Sequence, residues 1–169
     1  HPSSTNAVVN GSTLANIQAY FRFYGRSSHA AVSPHLGRSA LDAVELMNVG
    51  ANYLREHIIP EARVHYAITN TGGISPNVVQ PEAEVLYQIR APHVDQVNEI
   101  YQRVCDIAKG AALMTGTSYK VIFDKACSNI IPNDVLGRVM HNKMKELGAP
   151  KFTEEEKSYA ERYINTFSE

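Results

Sequence analysis

Hydrophobic and polar residues alternate in four separate segments of the chain, which is typical of β-strands with one buried face. In the first segment, NIQAYFRFYG, apolar residues occupy the odd positions from Ile17 to Phe23. The same alternation recurs in ARVHYAITN, EAEVLYQIRAP and TSYKVIFD. The turn-rich sequence TGGISPNVVQP separates the second and third of these segments. The pattern therefore predicts four strands, the second of which spans 62–69.

Two longer segments repeat apolar residues at helical spacing. Ser39 can cap the first helix, and its apolar stripe continues until Pro60. A second stripe begins after His93 and includes Ala111. The resulting order, β-α-β-β-α-β, ends near Asp124. It predicts an α+β fold, namely a ferredoxin-like sandwich with one four-stranded antiparallel sheet and both helices on one face.

The segment that follows the sandwich carries signals for extra C-terminal helices. Asn133 can cap one helix, which Gly148 would end. Thr153 and Glu156 have the spacing of a capping box at the start of another. Both helices are amphipathic and need a partner surface, so we interpret them as part of a neighbouring domain.

Composition narrows the classes of function. The 169 residues are 44% hydrophobic and 20% charged, which suits either one globular domain of ordinary size or one domain plus an appendage. Sixteen Lys and Arg against seventeen Asp and Glu indicate no surface for a polyanion, so no nucleic-acid partner is expected. No apolar segment is long enough to cross a bilayer, and no membrane partner is expected. The isolated Cys105 and Cys127 lack metal or disulfide spacing, which favours a reduced, cytoplasmic protein.

The candidate functional residues lie in loops and at the end of a strand. His29 stands among small residues in GRSSHAAVSPHLGRSA, and Asn77 follows a Gly-Gly pair and a proline. Alternation places Arg90 on the sheet face opposite the helices, either as a solvated charge or as a guanidinium fork for a carboxylate. Ser27 and Ser28 adjoin His29, but a G-x-S-x-G elbow and a recognisable acidic partner are absent, so we reject a serine mechanism.

No comparable sequence feature indicates a functional role for two other histidines. His35 lies two residues before a glycine, and His65 alternates outward on a strand. We interpret both as surface or interface residues.

Two stretches together carry a family resemblance: FYGRSSHAAVSPHLGRSALDAVELM and, further on, TNTGGISPNVVQPEAEVLYQIRAP. They resemble the lid, or dimerisation, domain of the di-metal amidohydrolases related to aminoacylases and glutamate carboxypeptidases. The resemblance extends from the start of the chain to about Lys125 and continues less distinctly into the tail. It implies a domain division of 1–14 as the end of a catalytic-domain segment or linker, 15–126 as the lid and dimerisation domain, and 127–169 as a helical return to the catalytic domain.

The resemblance also implies roles for individual residues. His29 would cross the dimer interface and stabilise the oxyanion in the partner subunit's active site. Asn77 and Arg90 would hold the free carboxylate of the substrate. His1 resembles a metal-binding histidine of the family, although a terminal histidine can equally be a frayed end. Two divalent ions, zinc or manganese, would act in the full-length enzyme. This chain shows no cluster of metal ligands of its own, so we expect it to bind no metal and to be inactive alone.

The function implied is hydrolysis of the amide bond of an N-acyl amino acid, such as an aroyl-glutamate, by a cytoplasmic metalloenzyme. We expect a homodimer in which the second strand pairs antiparallel with its own copy, because that strand lies at a sheet edge in this fold. A second type of subunit is a further possible partner. The alternative function is a stand-alone ferredoxin-like module that binds a small carboxylate or acts in regulation, without catalysis.

Overall fold

The four alternating segments form one antiparallel sheet in the computed structural model of the chain, which describes residues 5–167. The order across the sheet is β2-β3-β1-β4, so the predicted ferredoxin-like sandwich is confirmed. The strands are β1 (Ala15–Tyr24), β2 (Arg63–Asn70), β3 (Glu82–Ala91) and β4 (Ser118–Cys127), and the helices are α1 (Ala40–Leu54), α2 (Val94–Thr115), α3 (Asp134–Leu147) and α4 (Glu154–Ile164).

The core lies between the sheet and the two helices α1 and α2. Each inner position of the central strands is an apolar side chain, as the period-two pattern requires. Tyr87 is fully buried, its ring lies edge-on to Phe21, and its hydroxyl donates a 2.7 Å hydrogen bond to Oδ1 of Asn48. Burial raises the pKa of the Tyr87 hydroxyl. The largest fully buried side chains are those of Phe21, Phe23, Val44, Met47, Val85, Tyr87, Ile89, Val97 and Val104.

Helix α1 begins where the sequence predicts and ends earlier. The backbone N–H of Asp42 donates to Oγ of Ser39, which confirms Ser39 as the cap. The α-helix ends at Leu54 and not at Pro60, because the backbone tightens into a 3-10 turn over Arg55–His57. The same turn brings the guanidinium of Arg55 onto the carbonyl of Val64, so the end of α1 is fastened to β2.

The chain divides into two compact units. The sandwich unit comprises 12–131, and the tail unit comprises the described residues of 1–11 and 132–169. In the tail unit Asn133 caps α3, and Thr153 forms the predicted capping box with Glu156 at the start of α4. Neither helix has a buried residue.

Within 5–167, no helix has both the length and the hydrophobicity needed to span a bilayer.

Candidate functional site

Two loops meet at one end of the sheet, and they bring His29 beside Asn77. The loop over 25–39 follows β1, and the loop over 71–81 precedes β3. The N–H of Ala30 donates to the carbonyl of Asn77 at 2.9 Å, and the N–H of Val79 donates to the carbonyl of Ser28 at 3.0 Å. This short ladder fixes the two loops against each other, so the predicted histidine and amide share one surface.

The 71–81 loop depends on a glycine for its path. Gly72 has φ of 86°, and a Cβ there would lie 2.4 Å from the carbonyl oxygen of Glu82. The side chain of Asn70 accepts a 2.9 Å hydrogen bond from the Gly72 N–H and stabilises the turn. The close backbone approach expected of this loop is therefore present at Gly72.

The imidazole of His29 is held in a defined orientation by its own loop. Its Nδ1 accepts hydrogen bonds of 3.2 Å from the backbone N–H groups of Ala31 and Val32. A backbone N–H can only donate, so Nδ1 carries the lone pair and the neutral ring has its proton on Nε2. The side chain is exposed. His29 thus presents an Nε2–H donor to an incoming ligand.

The amide of Asn77 lies beside that donor. Its Nδ2 is 3.5 Å from Nε2 of His29. Both atoms are donors in this arrangement, and such a pair of donors is suited to an oxygen that carries negative charge. Rotation of the amide would instead bring Oδ1 to Nε2–H and stabilise the empty loop.

The other serine and histidine side chains of this region have no comparable arrangement. Oγ of Ser28 is buried and lacks a hydrogen-bond partner among the described residues, and Ser27 is exposed. The structure therefore offers neither serine a base. His35 lies in an exposed 3-10 turn, and His65 is exposed on β2.

Arg90 lies at the opposite end of the sheet from His29 and Asn77. It is the ninth residue of β3, whereas the 71–81 loop joins the first. A strand rises about 3.3 Å per residue, so roughly 26 Å separates the two ends. Arg90 is exposed on the open face of the sheet, and its guanidinium makes no hydrogen bond or ion pair with residues 5–167. Within one subunit, the structure does not bring Arg90 to Asn77.

A second arginine lies directly opposite Arg90. Arg63 of β2 is its register partner, and Asn16 of β1 is its partner on the other side. Side chains at paired positions of adjacent strands point to the same face, so both guanidinium groups belong to the open face. Sequence reasoning missed Arg63, because strand alternation gives a residue its face but does not give the register between two strands.

The outer edge of β2 combines free backbone groups with apolar side chains. Tyr66 and Ile68 project toward the helix side, yet they are 36% and 42% exposed. The ring of Tyr66 lies tilted against that of Tyr87, with centroids 5.3 Å apart, and the guanidinium carbon of Arg55 lies over the Tyr66 ring, 5.6 Å from its centroid. We call β2 together with these two side chains the edge surface; no strand within 5–167 pairs with its outer side.

The described residues do not fit a metal site. Among them, no group of three His, Cys, Asp or Glu side chains could hold a metal ion. His1 lies outside the described residues. Chemistry at a metal therefore cannot be derived from this part of the chain.

The sandwich unit thus combines an open edge strand that carries exposed apolar side chains with His29 and Asn77 side by side on its end loops. Residues 12–113 match the peptidase dimerisation domain family, and the chain belongs to that family. The chain is thus a peptidase dimerisation domain.

The relatives are hydrolases that are longer than this chain. The B-type subunit of the p-aminobenzoyl-glutamate hydrolase of Escherichia coli (strain K12) is 57% identical over 99% of this chain and 35% of its own length. A Xaa-Arg dipeptidase of Mus musculus is 33% identical over 92% of this chain and 36% of its own length. The chain therefore spans about a third of the relatives' length.

Solved structures share the fold. The crystal structure of an aminobenzoyl-glutamate utilization protein from Klebsiella pneumoniae aligns with a TM-score of 0.67 over 80% of this chain and 34% of that chain, at 21% identity. A hydantoinase/carbamoylase family amidase from Burkholderia ambifaria aligns with a TM-score of 0.65 over 84% and 35%, at 16% identity.

Proposed function

We propose that this chain is the lid and dimerisation domain of a metal-dependent amidohydrolase that cleaves an N-acyl amino acid, with p-aminobenzoyl-glutamate as its substrate. The observation that carries the proposal is the oriented His29 donor beside Asn77 in a peptidase dimerisation domain. The 57% identity to the B-type chain of p-aminobenzoyl-glutamate hydrolase supports the choice of substrate.

The domain associates as a homodimer through the edge surface. An edge strand with free N–H and C=O groups pairs readily with a second strand, and β2 has no proline to prevent this. Pairing of β2 with its own copy about a two-fold axis would extend the sheet and cover Tyr66 and Ile68. A homologue of the hydrolase's A-type chain, from Haemophilus influenzae, is also similar, at 27% identity, and a second type of subunit could use the same edge.

Antiparallel pairing of the two β2 strands would bring opposite ends of the two sheets close together. In such a dimer the first residues of β2 lie beside the last residues of the partner's β2. The end of the sheet that carries Arg90 then lies near the partner subunit's 71–81 loop. Each composite site would contain Arg90 from one protomer and the partner subunit's His29 and Asn77.

Each residue has a chemical role in that site. The planar guanidinium of Arg90 forms two parallel hydrogen bonds with the free carboxylate of the substrate and fixes its position. Nε2–H of His29 donates to the oxygen of the scissile carbonyl, which becomes negatively charged as the carbon turns tetrahedral. Asn77 supplies an amide beside that donor and binds the substrate together with Arg90. The metal ions and the attacking water belong to a catalytic domain outside the described residues.

The cellular compartment forms part of the same proposal. Cys105 is half-buried and Cys127 is exposed, and neither forms a disulfide. Free cysteines are typical of a reducing compartment, so we assign the protein to the cytoplasm.

A complementation experiment tests the composite site. In the full-length protein, His29→Ala and Arg90→Ala should each lower kcat/KM for p-aminobenzoyl-glutamate by about 100-fold or more. Mixed dimers of the two variants contain one site with both side chains intact and one site without either. Co-expression should therefore restore about a quarter of the wild-type activity, because half of the dimers are mixed and each has one good site.

Two controls accompany the experiment. The dimeric state of every variant is checked by light scattering. Co-expression of either variant with itself should restore nothing. Mixed dimers without recovered activity would contradict the composite site, and a wild-type protein that binds the substrate without cleaving it would support the alternative of a carboxylate-binding module.

A further inference from the structure

We infer that Arg63 and Arg90 form a two-carboxylate site on the open face of the sheet, in which Arg90 takes the α-carboxylate and Arg63 the second carboxylate of a glutamate-type substrate. This inference rests on the proposed function, and it adds the side-chain specificity of the same site.

The register between β2 and β3 is the first observation. Arg63 and Arg90 are direct cross-strand partners, and like charges at such positions destabilise a sheet unless something offsets them. Neither guanidinium makes an ion pair with a residue in the described part of the chain. The Nη1 group of Arg63 donates to the carbonyls of Pro60 and Ala62, which leaves Nε and Nη2 for a ligand. An anion between the two side chains would offset their repulsion.

The distribution of charge along the open face is the second observation. At the other end of the same face, Arg22 is paired with Glu84 at 2.8 Å and with Glu82 at 3.8 Å. Thr69 donates to the other carboxylate oxygen of Glu84, so both oxygens of that group have a partner. Both glutamates of β3 thus have Arg22 as an ion-pair partner, whereas Arg63 and Arg90 have no acidic side chain within ion-pair distance among residues 5–167.

The neighbours of the two arginines complete the site. Asn16 lies in register with Arg90 on the central strand, and Gln88 with His65 forms the next row of the face. These side chains are polar, and each can donate a hydrogen bond to a carboxylate oxygen. Two planar forks on adjacent strands suit two carboxylates joined by a short chain, as in glutamate, better than they suit a single carboxylate.

The experiment compares a glutamate substrate with its neutral isostere. The ligands are p-aminobenzoyl-glutamate and p-aminobenzoyl-glutamine, which keeps the α-carboxylate and replaces the second carboxylate by an amide. Arg63→Gln in the full-length protein should lower kcat/KM for the glutamate ligand by about tenfold or more and change the value for the glutamine ligand by less than about threefold. Calorimetric titration of the metal-free protein should show the same difference, with Arg63→Gln raising Kd for the glutamate ligand much more than for the glutamine ligand.

A matched control removes one positive charge from the same face. Lys120 of β4 is exposed and makes no hydrogen bond within residues 5–167. Lys120→Gln should leave kcat/KM unchanged for both ligands. This control distinguishes a local contact of Arg63 from a general effect of removing positive charge. Arg63→Lys should recover only part of the selectivity, because an ammonium does not form the planar fork.

The outcomes distinguish this inference from the proposed function. The two-carboxylate site would be overturned if Arg63→Gln lowered kcat/KM equally for the two ligands. It would also be overturned if Lys120→Gln lowered kcat/KM for the glutamate ligand as much as Arg63→Gln does. Neither result would contradict amide hydrolysis. A wild-type protein that cleaves neither ligand would instead overturn the proposed function. Wild-type selectivity for the glutamate ligand that disappears only in Arg63→Gln would establish the site.

Discussion

The sandwich unit and the tail unit contain helices of similar amphipathic character, yet only those of the sandwich unit have buried residues. Helices α1 and α2 cover one face of the sheet, and each buries a row of apolar side chains against it. Helices α3 and α4 have complete caps and apolar stripes but bury no residue. The comparison teaches that local signals determine where a helix starts and ends, whereas burial requires a partner surface.

The largest expected difference between the two units concerns an aromatic residue of each. Phe21 is 0% exposed and packs edge-on against Tyr87, whereas Phe167 is 69% exposed. Phe21→Ala should lower the free energy of unfolding of this chain by about 3 to 5 kcal/mol, since it leaves a cavity in the core. Phe167→Ala should change it by less than about 0.5 kcal/mol. Urea denaturation followed by circular dichroism measures both, and equal losses would contradict the division into a packed and an unpacked unit.

A buried hydrogen bond of the sandwich unit should have the next largest effect. The Tyr87 hydroxyl donates to Asn48 in the core, at 2.7 Å. Tyr87→Phe keeps the ring but leaves the amide oxygen of Asn48 buried without its donor. The free energy of unfolding should fall by about 1 to 3 kcal/mol.

Tyr53→Phe is the control, because that residue is exposed on the same helix layer. Loss of its hydroxyl should have no measurable effect on urea denaturation. A Tyr87→Phe protein as stable as the wild type would show that the hydrogen bond contributes nothing to the core.

Two glycines of the sandwich helices should respond to alanine with opposite sign. A Cβ at Gly50 of α1 would lie 2.7 Å from Cγ2 of Ile107 on α2, whereas a Cβ at Gly110 of α2 would have no neighbour within 4 Å. Gly50→Ala should reduce stability by about 1 kcal/mol, because overpacking against Ile107 outweighs the gain in helix propensity. Gly110→Ala should increase it by about 0.5 to 1 kcal/mol through helix propensity. Thermal melts of the two variants test this, and a stabilising Gly50→Ala would show that the helices can separate freely.

Most of the fold could be predicted from the sequence because its signals are local. Alternation identified all four strands, and the caps at Ser39 and Asn133 fixed the starts of α1 and α3. The predicted end of α1 was wrong, because the chain tightens into a 3-10 turn after Leu54, where Arg55 contacts Val64 of β2, and the apolar spacing does not reveal this turn.

The candidate site was predictable only in part. His29 and Asn77 could be singled out by their loops, and their proximity follows from backbone pairing between those loops. Arg63 could not be singled out, because the role that we propose for it depends on its register with Arg90. That register follows from the long β2–β3 loop and an irregularity after Ile68, neither of which periodicity can encode.

The smallest expected effect concerns the tail unit, where a capping box stabilises the start of a helix that has no buried residue. The backbone N–H and the hydroxyl of Thr153 both donate to Oε2 of Glu156, and these hydrogen bonds lower the pKa of that carboxyl. A lowered pKa in the folded state means that the carboxylate stabilises α4 above its unfolded pKa, and that this contribution is lost as the pH falls through the folded pKa. The first turn of α4 should therefore fray in acid. The amide chemical shift of Thr153, followed by NMR, should move with the Glu156 titration in the wild type and lose that transition in Glu156→Gln. An identical transition in the variant would mean that another carboxylate controls the start of the helix.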